Sequence, residues 1–168
     1  MKTPICSFDA KTEILCSRCE SKLKSGQLTE GDIEASYKFA KLAQKNGEID
    51  KFTLVSAQKI DDEIVVYLKN SDMVYLRSNS QILEKIKKAF ENRIWLIESG
   101  SSDKRFLENL LFPIKISLLN LVWLPDGNKL TKIIIPAQKT KIEIEKLKKI
   151  AQTIKKIELI IEFEKGSK

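Results

Sequence analysis

Residues 62–98 read DEIVVYLKNSDMVYLRSNSQILEKIKKAFENRIWLIE, and this stretch decides the fold. Ile64, Val65, Val66, Tyr67 and Leu68 form a short, β-branched apolar run, which predicts a buried strand. Asn70, Ser71 and Asp72 break the run, and Met73, Val74, Tyr75 and Leu76 make about one apolar helical turn. Arg77-Ser78-Asn79-Ser80 then predicts a polar loop, with Ser80 placed to cap the next helix. Ile82, Leu83, Ile86, Ala89 and Phe90 share one face of that helix. Ile94, Trp95, Leu96 and Ile97 close the stretch as a second strand.

On the N-terminal side, residues 25–50 predict a helix. Thr29 is placed as its N-cap and Asp32 stands three residues on, as in a capping box. Ile33, Tyr37, Ala40, Leu42 and Ala43 give the apolar face, and Asn46-Gly47 ends it. Phe52, Leu54 and Ser56 alternate toward Ile60 as a strand, and Asp61-Asp62 turns into the next. On the C-terminal side, residues 99–103 form a polar break. A helix with Ser102 or Asp103 as cap comes next, buries Phe106, Leu107, Leu110 and Leu111, and stops at Pro113. Residues 114–124 predict a long strand, Pro125-Asp126-Gly127-Asn128 a hairpin turn, and 130–135 the partner strand. A loop over 136–140, a helix on Ile144, Leu147, Ile150, Ala151 and Ile154, and a strand over 157–163 complete the chain. The two halves run in the same order, and Lys85-Ile86-Lys87-Lys88 matches Lys146-Leu147-Lys148-Lys149 in position. The expectation is therefore an α+β fold of two tandem αββαβ units, at 25–99 and 100–168, behind a small cysteine segment at 1–24.

That segment holds all three cysteines. Cys16-Ser17-Arg18-Cys19 is a C-x-x-C knuckle, and Cys6-Ser7-Phe8-Asp9 offers Cys and Asp at the same spacing. Zinc takes four tetrahedral ligands, and two such knuckles supply them with little chain between. Cys6, Asp9, Cys16 and Cys19 are thus candidate zinc ligands; the alternative is three reduced cysteines with no metal. An odd number of cysteines does not suggest a disulfide framework.

The β-α-loop-α-β order of residues 62–98, the opening run PICSFDAKTEILCSRC and the segment Val122-Trp123-Leu124-Pro125-Asp126-Gly127 together resemble the archaeal NusA-like KH proteins, which carry a cysteine motif ahead of a KH fold. The resemblance implies type II KH units that hold single-stranded RNA, either ribosomal RNA in a ribonucleoprotein or a nascent transcript on RNA polymerase. Family members clamp RNA through a G-x-x-G loop between the two helices. Here the matching positions are Arg77, Ser78, Asn79 and Ser80, with no glycine. The family usually carries a cysteine where Asp9 stands.

Composition narrows the function. The 168 residues are 42% hydrophobic, enough for a core, and carry a net charge of +7. There is no histidine, so no Ser-His or Cys-His pair exists, and the six glycines make no phosphate-binding pattern. An open zinc position would lack a general base, which argues against a metal enzyme and a small-molecule substrate. No apolar run of membrane length and no signal-peptide core are present, which predicts a cytoplasmic protein. Over 136–156 seven lysines, including Lys139, Lys141, Lys148 and Lys149, face only Glu143 and Glu145. Lys85 and Lys88, with Lys87 and Arg93, give a second basic edge. These are candidate phosphate contacts. Arg77, Ser78, Asn79 and Ser80 are candidate RNA contacts by side chain rather than by backbone amide. A competing expectation is a KH-derived scaffold that binds protein. Trp95 and Phe90 are expected in the core rather than as stacking platforms.

Overall fold

A computed structural model describes residues 1–137 and 142–166. The fold is α+β, with two compact units, Met1–Gly100 and Ser101–Lys168.

The first unit is built around one helix with two working faces. Two short helices, α1 (Ser7–Thr12) and α2 (Ser17–Lys24), precede α3 (Glu30–Lys45). The expected capping box starts α3. Thr29 Oγ1 accepts the Asp32 N–H at 3.1 Å, and Asp32 Oδ2 accepts the Thr29 N–H at 2.8 Å. A single 3₁₀ turn (Ile49–Lys51) leads to an antiparallel hairpin of β1 (Leu54–Ile60) and β2 (Glu63–Leu68). Next come α4 (Asn70–Ser78), α5 (Ser80–Ala89) and β3 (Ile94–Glu98), which pairs parallel to β2. The sheet order is β1-β2-β3.

One face of α3 (Ala35, Phe39, Ala43) packs into the main core with Ile64, Val66 and Leu68 of β2 and Met73, Leu76, Ile82 and Ile86 of the later helices. The other side contributes Ala40 to a second cluster with Ile5, Ala10, Cys19 and Leu28. The cysteine segment therefore lies within the first unit, laid along α3. The Met1 ammonium also pairs with Asp50 at 2.7 Å.

The start of α3 clasps β1. Asp32 Oδ1 accepts the Ala57 N–H at 2.7 Å, and the Thr29 hydroxyl donates to the Ala57 carbonyl at 2.8 Å. Gly31 makes this possible: a Cβ there would lie 2.9 Å from Lys59 N and 3.0 Å from Ala57 O.

Several boundaries differ from the sequence expectation. β1 begins at Leu54 rather than Phe52, because residues 49–51 wind into the 3₁₀ turn. Asn70, Ser71 and Asp72 do not break the chain; they form the first turn of α4, where Asp72 accepts the Thr53 N–H at 2.8 Å. The loop expected at Arg77–Ser80 shrinks to the single residue Asn79. Ser80 is the first residue of α5 rather than its cap. Asn79 occupies the cap position and turns its amide back to the Tyr75 carbonyl at 2.9 Å.

The second unit comprises α6 (Asp103–Leu111), the antiparallel hairpin β4 (Leu118–Trp123) and β5 (Lys129–Ile135), α7 (Ile144–Lys155), and β6 (Glu158–Phe163) parallel to β5. The sheet order, β4-β5-β6, repeats that of the first unit. Ser102 caps α6 by accepting the Arg105 N–H at 3.3 Å. Ile133 and Ile135 of β5, Leu147, Ile150 and Ala151 of α7, and Leu159 of β6 are buried. The long strand expected over 114–124 is only six residues, since residues 112–117 stay irregular. The expected hairpin turn is present. Asp126 accepts from the backbone N–H and side-chain amide of Asn128 at 3.0 and 2.9 Å, and Gly127 takes φ +86°.

Candidate metal centre and basic faces

The two expected knuckles are two helix N-termini built alike. Cys6 is the cap of α1 and Asp9 its third residue; Cys16 is the cap of α2 and Cys19 its third residue. A cap and the third helical residue lie on one side of the first turn, so each knuckle aims both donors the same way. Glu13, with φ 59°, reverses the chain between them, and the Cys16 N–H donates to Asp9 Oδ2 at 3.0 Å. The three thiol sulfurs and an Asp9 carboxylate oxygen all lie within 4.8 Å of one another, a group that can hold a metal ion.

Burial and charge favour a cation there. Asp9 is fully buried, and its Oδ1 has no hydrogen-bond partner. Burial alone would raise its pKa. The Cys16 N–H and the thiols of Cys6, Cys19 and Cys16 more than offset this, holding the carboxyl well below the usual carboxylate range. Burial first, then the Asp9 carboxylate, pushes the Cys19 thiol up to about 12. The Cys6 thiol is also raised, chiefly by its hydrogen bond to Asp9. A cation bound among these four residues would have to displace the thiol protons.

The helix junction gathers part of the expected RNA site. Arg77 and Ser78 end α4, Asn79 joins, and Ser80 opens α5. Arg77 is half-buried, while Ser78 and Ser80 are exposed, as are Lys85 and Lys88 further along α5. Ser78 and Asn79 spend hydrogen bonds on the α4 backbone, to the Val74 and Tyr75 carbonyls. Lys85 Nζ donates to Asn46 Oδ1 at 2.9 Å.

The basic last helix is more internally compensated than its lysine count suggests. Lys146 pairs with Glu143 at 3.0 Å, Lys148 with Glu145 at 3.9 Å, and Lys155 with Asp103 at 3.8 Å. Lys149 is exposed on the same helix. Such exposed pairs are worth about 0–1 kcal/mol, so a phosphate can displace the carboxylate. Lys139 and Lys141 lie outside the described residues. Lys87 pairs with Glu84 at 3.5 Å just as Lys148 pairs with Glu145, while Ile86 and Leu147 are buried at matching positions.

Phe90 is buried. Trp95 is half-buried and donates its Nε1–H to Glu63 at 2.8 Å. Sequence reading missed the most exposed aromatic: Trp123, 71% exposed at the end of β4. The run LLNLVW, apolar but for Asn120, reads as a buried strand, and nothing in it signals an open sheet edge.

No protein-family model and no curated protein matches this chain. A solved structure described as "Crystal structure of APE1850" aligns at 10% identity with a TM-score of 0.43, covering 76% of this chain and 95% of that one. At that score the likeness carries no argument. Among the described residues no helix is long and apolar enough to cross a membrane.

Proposed function

We propose that this chain is a non-catalytic RNA-binding protein of two tandem KH-like units, a component of a ribonucleoprotein that contacts ribosomal RNA, with zinc held by Cys6, Asp9, Cys16 and Cys19. The observation that carries this reading is the repeated connectivity. Each unit runs helix, antiparallel hairpin, helical segment, and a third strand parallel to the hairpin's second. That is the order expected of type II KH units, and the matched lysine–glutamate pairs on α5 and α7 support a duplication. A tetrahedral zinc asks for donor separations of about 3.3–3.8 Å, so the cysteine group closes on it with movements of about 1 Å. The zinc would be structural, tying α1 and α2 together against α3, since four protein ligands leave no open position.

Two measurements test the reading. Metal analysis of protein purified without chelator is expected to give about one zinc per chain; its absence removes the site. Fluorescence anisotropy with labelled single-stranded RNA is expected to show binding that weakens steeply with salt. Arg77→Ala, checked for folding by circular dichroism, is expected to weaken it. An unchanged affinity moves the contact away from the helix junction.

One observation favours a second reading, a KH-derived scaffold that binds protein. The junction has no loop beyond Asn79, and no glycine there lets a phosphate reach backbone amides. Absence of any RNA affinity at low salt would select that reading.

A further inference from the structure

The net charge is divided unevenly. Residues 101–168 carry 14 basic and 8 acidic side chains, a balance of +6, which leaves +1 for residues 1–100. The more basic unit also carries the most exposed large apolar side chain, Trp123 at 71%. Trp123 ends β4, an edge strand of its sheet, beside the Asp126–Asn128 turn that holds the hairpin tip. In the antiparallel register Trp123 stands directly opposite Lys129, so the indole and the lysine share a face. The next pair along that face is Leu121, 51% exposed, opposite the buried Thr131, so the face runs from the core out to an open end at Trp123 and Lys129. Lys129 makes no ion pair among the described residues. Asp126, the nearest carboxylate in sequence, is engaged by Asn128.

From this we infer that the β4–β5 hairpin is a stacking site for single-stranded nucleic acid: one base lies on the Trp123 indole, and Lys129 meets the adjoining phosphate. The inference rests on the RNA-binding reading and gives it a contact away from the helix junction. The chemistry fits the parts. Base–aromatic stacking needs a rigid, open π-face beside positive charge and tolerates any base. The turn's own hydrogen bonds hold the hairpin backbone that carries the indole. The positive balance of this unit opposes face-to-face pairing of two copies and attracts a polyanion.

The test is titration of the full chain with single-stranded oligouridylate at low salt, read by tryptophan fluorescence and by anisotropy of a labelled oligonucleotide. Trp95→Phe, which leaves Trp123 as the only indole, is expected to keep the quenching. Trp123→Phe is expected to lose the quenching and keep most of the affinity. Trp123→Ala is expected to weaken binding about 10-fold at unchanged salt slope. Lys129→Gln is expected to lower the salt slope by about one. Circular dichroism checks that each variant folds. Wild-type binding that Trp123→Ala leaves unchanged overturns the hairpin site while the RNA reading stands. No oligonucleotide binding by the wild type overturns both. Concentration-dependent dimers that Trp123→Ala dissolves, with no quenching by oligouridylate, overturn it in favour of a contact between copies.

Discussion

β1 and β4 are the same strand in two copies of one connectivity: each opens an antiparallel hairpin and lies at the edge of a three-stranded sheet. Their surroundings are opposite. In β1, Leu54, Ala57 and Ile60 are buried, and the backbone is clasped by Thr29 and Asp32 at the start of α3. In β4 no residue is buried, and Leu118, Leu121, Val122 and Trp123 are all exposed. The clasp explains the difference. A helix end can close on an edge strand only where a small residue lets the two backbones meet and polar side chains take up the strand's free N–H and C=O groups. Gly31 supplies the first, and Thr29 and Asp32 on either side of it supply the second. Before β4 the chain offers only the irregular residues 112–117. One unit has closed its edge with the start of a helix; the other has left its edge open, with an aromatic at the tip and most of the net charge.

The most damaging way to break this comparison is Gly31→Ala. The added methyl would meet β1 backbone at 2.9–3.0 Å, and backbone cannot rotate away as a side chain can. We expect a loss of about 1–3 kcal/mol, read by chemical denaturation as an earlier unfolding transition for the first unit alone. Disrupting the candidate metal centre comes next. A chelator, or Cys19→Ser, is expected to lower the first unit's melting temperature and leave the second's unchanged; a shared shift would show that the cysteine group stabilises more than its own unit. Thr29→Ala removes the cap and the bond to Ala57, with an expected cost of about 0.5–2 kcal/mol.

Acid should act on the same unit. Asp9 has a carboxyl held low by its hydrogen bonds, and Glu34 one held low by Lys38 and Lys59 against the opposing effect of burial. A group with a depressed folded-state pKa gives stability that is present above its unfolded value and lost as pH falls below it. First-unit stability should therefore decline as pH drops through about 4 and below. A flat profile there would show that these carboxylates are equally well placed in the unfolded chain. The smallest effect belongs to Glu84→Gln. Its exposed pair with Lys87 is expected to contribute at most about 0.5 kcal/mol, and a larger loss would give the repeated pairs on α5 and α7 a role beyond a solvated surface.

Much of this was legible in the residues, where a signal is local. The capping box at Thr29 and Asp32, the Asp126–Asn128 turn and the apolar phase of α5 and α7 are each written in a few adjacent positions. The C-x-x-D and C-x-x-C spacings named the four residues that cluster, because a cap and the third helical residue are spatial neighbours wherever a helix begins. The short helices those cysteines start were not seen, since six or eight polar residues carry little periodicity. Asn70–Asp72 read as a breaker because Asn, Ser and Asp favour both turns and first helical turns; contact with Thr53 decides between them. Gly31 looked like any helix glycine until β1 lay against it. The openness of β4 could not be read at all: LLNLVW is what a buried strand looks like, and burial depends on what the rest of the chain brings to it.

The most direct test of the central claim is ultraviolet crosslinking of the native protein in cell extract, with sequencing of attached RNA and mapping of the crosslinked peptide. The account predicts reads gathered on ribosomal RNA, with the label on the peptide that contains Trp123 or on the one that spans Arg77–Lys88. Reads spread over nascent transcripts would keep RNA binding and move the protein to transcription. Recovery of almost no RNA would contradict the account and leave the scaffold reading in its place.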